Sequence, residues 1–339
     1  MNEEEQKKRA LELWNAGYQR HLQNDLEGAI DFYSRSIQTW PTAEAYTFRG
    51  WAYEGMGRID EAIAECRKAI EIDPDYGNPY NDIGAYLIAK GELDQAIPWL
   101  ERAKQAPRYE PRHFPYLNLG RLESLRGEFL RAIMLLERAV ALSNEWNIAY
   151  LTPIALAALG QVYARSGRVE EGVSRLEQGL AGYASAGIGY LRSLRMVQLG
   201  EAHFLAGRVE EAWDYGTRAL VLAGERGERG HEAWARWLLG EVVSNRDRPD
   251  VAAAETHYAT STALALELGM RPLVAHCRFS LGKLHGLVGD GRATEHLSTA
   301  MSLFHEMGMR LWFEKPGAEM QTLEIAGVPG NHAREQDQR

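Results

Sequence analysis

Cysteine is nearly absent. The 339 residues contain two, Cys66 and Cys277, set far apart, which excludes a disulfide framework and leaves buried, small apolar thiols as the reading. Also missing is any run of roughly 18 apolar residues, so no transmembrane helix is expected. The first residues, Met1-Asn2-Glu3-Glu4-Glu5, lack the basic start and apolar run of a secretory leader, and a cytoplasmic place is expected by elimination. Basic clusters are scarce as well. The densest is Lys7-Lys8-Arg9, and Glu3, Glu4 and Glu5 precede it. With a formal charge of −9, phosphate binding has no Lys/Arg cluster to rest on, so nucleic acid is not an expected partner.

The motifs of common enzyme chemistry are missing too. Gly282-Lys283 lacks both the earlier glycine and the following Ser or Thr of a phosphate-cradling loop. There is no Gly-x-Ser-x-Gly elbow, no Cys-x-x-Cys and no His-Glu-x-x-His. His276, Cys277, His285, His296 and His305 gather near the C-terminal end. Their separations do not put two ligands four apart on one helix, so no metal and no cofactor is expected. The acidic pairs Glu170-Glu171 and Glu210-Glu211 read as first-turn residues of helices, where they favour the dipole.

What is present is a repeat. Hydrophobic residues make up 45% and charged residues 25% of the chain, a balance that supports a continuous core. Glycines recur in matching contexts at Gly17, Gly50, Gly84, Gly120, Gly160, Gly200, Gly240 and Gly282, with spacings of 33, 34, 36, 40, 40, 40 and 42 residues. Twelve positions after most of them stands a small residue, followed four and seven positions later by a larger and another small one. Examples are Ala62/Cys66/Ala69, Ala96/Leu100/Ala103 and Ala132/Leu136/Ala139. The steps from Ala62 through Ile63, Cys66, Ala69 and Ile70 are those of an amphipathic helix. A glycine inside a helix costs about 1 kcal/mol against alanine, so its recurrence calls for close helix approach. Between the paired helices stand Asn24-Asp25, Gly57-Arg58, Gly91-Glu92, Gly127-Glu128, Gly167-Arg168 and Gly207-Arg208, left-handed stops before the next N-terminus. Pro41 and Pro74 close the first two repeats.

These residues resemble the tetratricopeptide repeat family, best over 43–75, where Tyr46, Gly50, Tyr53, Ala62, Ala69 and Pro74 are in place. The resemblance extends over about residues 9–325. It implies an all-α fold, an α-α superhelix of about eight helical hairpins with a short C-terminal cap helix. The expected division is four repeats over 1–143, four longer ones with a cap over 144–326, and a polar tail over 327–339. Ser143-Asn144-Glu145-Trp146-Asn147 breaks the helical pattern at the boundary, and Pro316-Gly317 interrupts the cap. Longer helices or longer connections must absorb the extra residues of the second half. From about Ile154 that half is also similar to the C-terminal repeats of bacterial proteins joining a nucleotide cyclase or regulatory output to a large ATPase. Leu199-Gly200-Glu201-Ala202, Gly207-Arg208-Val209-Glu210-Glu211-Ala212, Arg226-Gly227-Glu228-Arg229-Gly230-His231-Glu232-Ala233-Trp234 and Leu268-Gly269-Met270-Arg271-Pro272 carry that likeness.

In the family, first helices line a concave groove, with inward residues three before and one after the glycine. Here those positions hold Trp14 and Tyr18, Thr47 and Trp51, Asn81 and Ala85, and Leu117 and Arg121. The second half has Ala157 and Gln161, Val197 and Glu201, Trp237 and Glu241, and Phe279 and Lys283. Trp14, Tyr18, Thr47 and Trp51 stand where the family's clamp for chaperone C-termini requires Lys, Asn and Arg, which argues against that ligand. Trp234 and His276, one turn earlier, should join Trp237 and Phe279 in one aromatic patch. Each of these residues reads either as an anchor for a partner or as packing between repeats. The expectation is a non-enzymatic scaffold whose groove takes a peptide or protein through Trp14, Tyr18, Trp51, Asn81, Arg121, Gln161, Trp234, Trp237, His276, Phe279 and Lys283. The alternative is a sensor module acting with an ATPase or cyclase partner.

Overall fold

The recurring glycines lie at helix crossings in the computed structural model, which describes residues 2–145, 151–185, 191–246 and 248–325. Its elements are all helices. They are α1 (Glu3–Leu22) with α2 (Leu26–Thr39), α3 (Ala43–Gly55) with α4 (Ile59–Ile72), and α5 (Asn78–Lys90) with α6 (Leu93–Gln105). Then follow α7 (His113–Arg126), α8 (Phe129–Glu145), α9 (Leu151–Arg165), α10 (Val169–Ser185), α11 (Arg192–Leu205) and α12 (Val209–Arg226). The last are α13 (Arg229–Ser244), α14 (Val251–Glu267), α15 (Arg271–Leu287), α16 (Arg292–Glu306) and the cap α17 (Arg310–Ile325). Among the described residues the sole β feature is an isolated bridge from Tyr76 to Arg108.

The sequence pattern explains each hairpin. The first small residue of each triplet is fully buried, as at Ala29, Ala62, Ala96, Ala132, Ala212, Ala254 and Ala293, and so are Tyr33, Cys66, Leu100, Leu136, Tyr258 and Leu297 four positions on. Burying a side chain of Leu size contributes about 1.5–3 kcal/mol. The crossing leaves no room for a Cβ on the glycine. At Gly160 an added Cβ would lie 2.8 Å from the Gly172 carbonyl oxygen and 2.9 Å from the Leu176 nitrogen. The turns within hairpins are left-handed at Asn24, Gly57, Gly91, Gly127, Gly167 and Gly207, so the amide after the helix can bond back to it.

Longer helices absorb the extra residues of the second half. The second helices α2, α4 and α6 have 14, 14 and 13 residues, whereas α10, α12 and α14 have 17, 18 and 17. Left-handed Gly227, Gly269 and Gly308 follow α12, α14 and α16, where proline follows the second helices of the first two repeats.

The polar run from Ser143 falls at the end of α8, whose last residue is Glu145; there the Ser143 hydroxyl donates to the Ala139 carbonyl at 2.8 Å, and Trp146 and Asn147 lie outside the described residues. One expectation needs correction: Pro316-Gly317 does not interrupt the cap, because α17 runs through both to Ile325. The tail 327–339 also lies outside the described residues.

By compactness the chain falls into two units, Met1–Ile88 with Glu92–Asn118 and Ala89–Gly91 with Leu119–Arg339. The division passes inside α7, whereas the repeat length changes further along. In the first unit α1 packs on α2 and α3, and α3 on α4. The loops before α5 and after α6 are tied together, Gly77 N–H donating to the Arg108 carbonyl at 3.1 Å and Arg108 N–H to the Asp75 carbonyl at 3.0 Å. In the second unit each first helix packs on the next, α9 on α11, α11 on α13, α13 on α15 and α15 on α17. These first helices form one continuous layer.

Candidate functional site

The two inward positions of the first helices have different environments. Three residues before the glycine, Thr47, Asn81, Leu117, Ala157, Val197 and Phe279 are buried. One residue after it, Tyr18 and Arg121 are exposed, while Trp51, Gln161 and Lys283 are half-buried. The earlier position is thus packed except at the half-buried Trp14 and Trp237, and the later one reaches solvent except at the buried Glu201 and Glu241.

In the first unit the aromatic residues form a shelf. Trp14 stacks on Tyr18 with ring centroids 5.7 Å apart, meets Phe48 edge-on at 4.8 Å, and Phe48 lies 4.2 Å from Trp51. Trp51 Nε1–H donates to Asp82 Oδ2 at 2.7 Å, and Asn81 Nδ2 donates to the other oxygen at 3.2 Å. Asn118 Nδ2 in turn donates to Asn81 Oδ1 at 3.0 Å. Burial raises the Asp82 carboxyl to about 7 despite these two bonds, and Glu54, near enough to repel it, is raised by burial as well. Sequence reasoning passed over Asp82, two residues before Gly84. An acid between Tyr80 and Ile83 in an apolar helix was the available signal.

In the second unit the line after the glycine continues as polar residues tied across repeats, Glu201 and Glu241 among them buried. Arg165 makes a two-pronged bond to Glu201, at 2.9 and 3.0 Å. Gln161 Nε2 donates to Glu201 at 3.2 Å and its carbonyl accepts from Gln198 at 2.9 Å. Lys283 donates to Glu241 at 3.3 Å, and Glu241 also accepts from the buried Tyr258 hydroxyl at 2.7 Å.

Of the expected aromatic patch, three members come together. Trp234 and Trp237 meet edge-on at 5.5 Å, and both lie about 6 Å from the buried His276, at 6.0 and 5.9 Å. His276 also meets Phe304 at 5.3 Å and Trp312 at 4.6 Å. Phe279 instead lies under the Lys283 ammonium of its own helix, at 5.1 Å. Both tryptophans are half-buried. Trp237 packs against three separate core clusters and donates from Nε1 to Ser280 at 3.2 Å.

One arrangement has the residue types of a hydrolase. Ser193 Oγ lies 2.9 Å from His231 Nδ1, and Glu228 lies 3.2 Å from the same nitrogen. A proton relay needs the serine on one ring nitrogen and the carboxylate on the other. Both partners here share Nδ1, and Ser193 is fully buried. The group ties the start of α11 to the start of α13. Both thiols are raised by burial, Cys66 far above its usual value and Cys277 to about 11, so neither is a ready nucleophile. Among the described residues no group of three or more His, Cys, Asp or Glu is placed to hold a metal ion, and no helix is long and apolar enough to cross a membrane.

Comparison with known proteins supports a tetratricopeptide repeat protein. Residues 43–76 match the family model for the tetratricopeptide repeat. The chain is 37% identical over 81 residues to a protein SGT1 homologue of Oryza sativa subsp. japonica, covering 24% of this chain and 22% of that one. It is 32% identical over 94 residues to small glutamine-rich tetratricopeptide repeat-containing protein 2 of Saccharomyces cerevisiae, covering 27% of each. The chain thus spans about a quarter of the length of these relatives. Among solved structures, a Rap protein complexed with competence and sporulation factor shares the fold, with a TM-score of 0.63 and 10% identity over 94% of this chain and 98% of that one. A chain of the APC/C hetero-tetramer Cut9-Hcn1 gives a TM-score of 0.56 and 21% identity over 72% of this chain and 45% of that one.

Proposed function

We propose that this tetratricopeptide repeat protein is a non-enzymatic adaptor that holds a peptide or protein partner along the exposed face of its first helices. One observation carries the reading. The residue after the repeat glycine is exposed or half-buried at Tyr18 and Trp51 in the first unit and at Arg121, Gln161 and Lys283 in the second, while the residue three before is packed at Thr47, Leu117, Ala157 and Phe279. Within each unit, hairpins therefore present aromatic, amide or charged side chains from their first helices, the kind of extended surface that stacked repeats offer. Aromatic and Arg anchors dominate such interfaces. The Rap complex, which shares the fold, has a bound factor, and the geometry at Ser193 supports no relay.

The test is quantitative capture of partners by wild type and variants, read by mass spectrometry. Trp51→Ala in the first unit, or Arg121→Ala with Gln161→Ala in the second, should deplete a captured partner. Arg218→Ala, on an exposed part of α12, should not. Equal capture by all variants refutes the reading.

A sensor module working with an ATPase or cyclase is the second reading, and the segments around Leu199, Gly207 and Arg226 support it. A cyclase or ATPase as the captured partner would favour it, and loss of that capture in the same variants would place the contact on the first helices.

A further inference from the structure

A cavity of about 490 Å³ opens in the second unit among α13, α15, α16 and α17, within the ~300–1,000 Å³ range of ligand sites. Its apolar part is Leu284, Leu287 and Leu297. Leu287 is 72% exposed, a large apolar side chain left in solvent at the cavity wall. The polar part includes Asn245, Ser280, Lys283 and Glu319.

The charges do not balance. Lys283 is bonded to Glu241 at 3.3 Å, so that pair is neutral together. Among the described residues Glu319 makes no ion pair, so the described lining holds one carboxylate without a counter-ion. A cationic group fits it. Lys283 keeps further N–H donors beyond the one given to Glu241. Ser280, which takes the Trp237 indole N–H at 3.2 Å and also bonds the Tyr258 side chain, is buried at the cavity floor. Asn245 gives its amide N–H to the Glu241 carbonyl at 2.8 Å and keeps an acceptor oxygen. The cavity therefore combines an anion for an ammonium, donors for a carbonyl and an apolar wall beside both.

We infer that this cavity binds the free N-terminal residue of a peptide, with its ammonium on Glu319, its carbonyl on Lys283, and an apolar side chain against Leu284, Leu287 and Leu297. A lysine side chain fits less well, because its ammonium is four methylenes from the nearest carbonyl and carries no branched apolar group. The inference rests on the adaptor reading and narrows it to a partner with an exposed, apolar N-terminus.

Leucylglycinamide is the probe, titrated into the full chain with calorimetry or methyl NMR. It should bind saturably, while N-acetyl-leucylglycinamide and glycylglycinamide should bind about tenfold more weakly or worse, since a hydrogen bond to a charged group contributes more than a neutral one. Glu319→Gln should weaken leucylglycinamide by about tenfold with an unchanged melting temperature, and Leu287→Asp should abolish binding. No saturable binding at roughly ten millimolar, or equal binding of the acetylated probe, overturns the inference. An adaptor without this site would still lose its partner in the Trp51 or Arg121 and Gln161 variants while ignoring leucylglycinamide. A site without the adaptor role would bind the probe while those variants kept their partner.

Discussion

Asp82→Asn should stabilise the protein above neutral pH and leave it unchanged in mild acid. The Asp82 carboxyl titrates near 7 in the folded chain against a usual 3.8, chiefly because burial disfavours its charged form. Its folded value is raised, so the native state holds the proton more tightly than the unfolded state. Stability therefore falls as pH rises from about 4 to about 7, and the loss is constant beyond. A shift of about three units corresponds to about 4 kcal/mol. Solvent reaches this half-buried side chain in part, which reduces the effect to about 1–2 kcal/mol. Asparagine is neutral throughout and keeps an acceptor for the Trp51 indole N–H. Urea denaturation of wild type and variant should then give equal stabilities near pH 4 and a variant advantage of about 1–2 kcal/mol at pH 8. Stability differences that are the same at both pH values would show that the carboxyl titrates normally and that the shelf around Trp51 does not desolvate it.

Glu201→Gln should cost about 3–5 kcal/mol in urea denaturation, because it leaves the Arg165 guanidinium, 9% exposed, without its counter-ion; changing Arg165 and Glu201 together to Met should recover most of that loss. Gly160→Ala should lower the denaturation midpoint by the equivalent of about 1–3 kcal/mol or more, since the added methyl meets backbone atoms of Gly172 and Leu176. Gly57→Ala meets nothing within 4 Å and should cost only about 1–2 kcal/mol, from its left-handed φ of 77°. Trp237→Ala should destabilise by about 3 kcal/mol, given its packing against three core clusters, and a loss of partner binding with unchanged stability would reverse that assignment.

The helices were legible because their signal repeats. A glycine on one helix and a small residue twelve positions on its partner are two halves of one contact, and eight copies of it cannot arise from composition alone. The alternation of exposure within the first helices was less legible. Trp237 and Trp51 occupy different inward positions, yet both are half-buried, and sequence spacing does not say how far the next repeat covers each. The break expected at Pro316 rested on local propensity, and α17 passes through that residue. The meeting of Ser193 with His231 and Glu228 spans 35 to 38 residues and leaves no local trace.

The two kinds of surface along the first helices imply different ways of holding a partner. In the second unit Gln161 and Arg165 of α9 bond Gln198 and Glu201 of α11, and Glu241 of α13 bonds Lys283 of α15. Each side chain is thus fixed by its neighbour before anything binds, so little rotamer freedom remains to be lost on association. Such a layer recognises by the donors and acceptors it has left over, and favours a partner with a regular supply of both, such as an extended backbone. In the first unit Trp14, Tyr18, Phe48 and Trp51 are fixed by ring contacts, and only Trp51 is tied by its polar atom to Asp82. That shelf recognises by area, which suits an apolar or cationic side chain over the rings. Because Trp51 bridges the shelf to the titrating carboxyl of Asp82, a cation held there should favour the ionised carboxylate and bind more tightly as pH rises through 7.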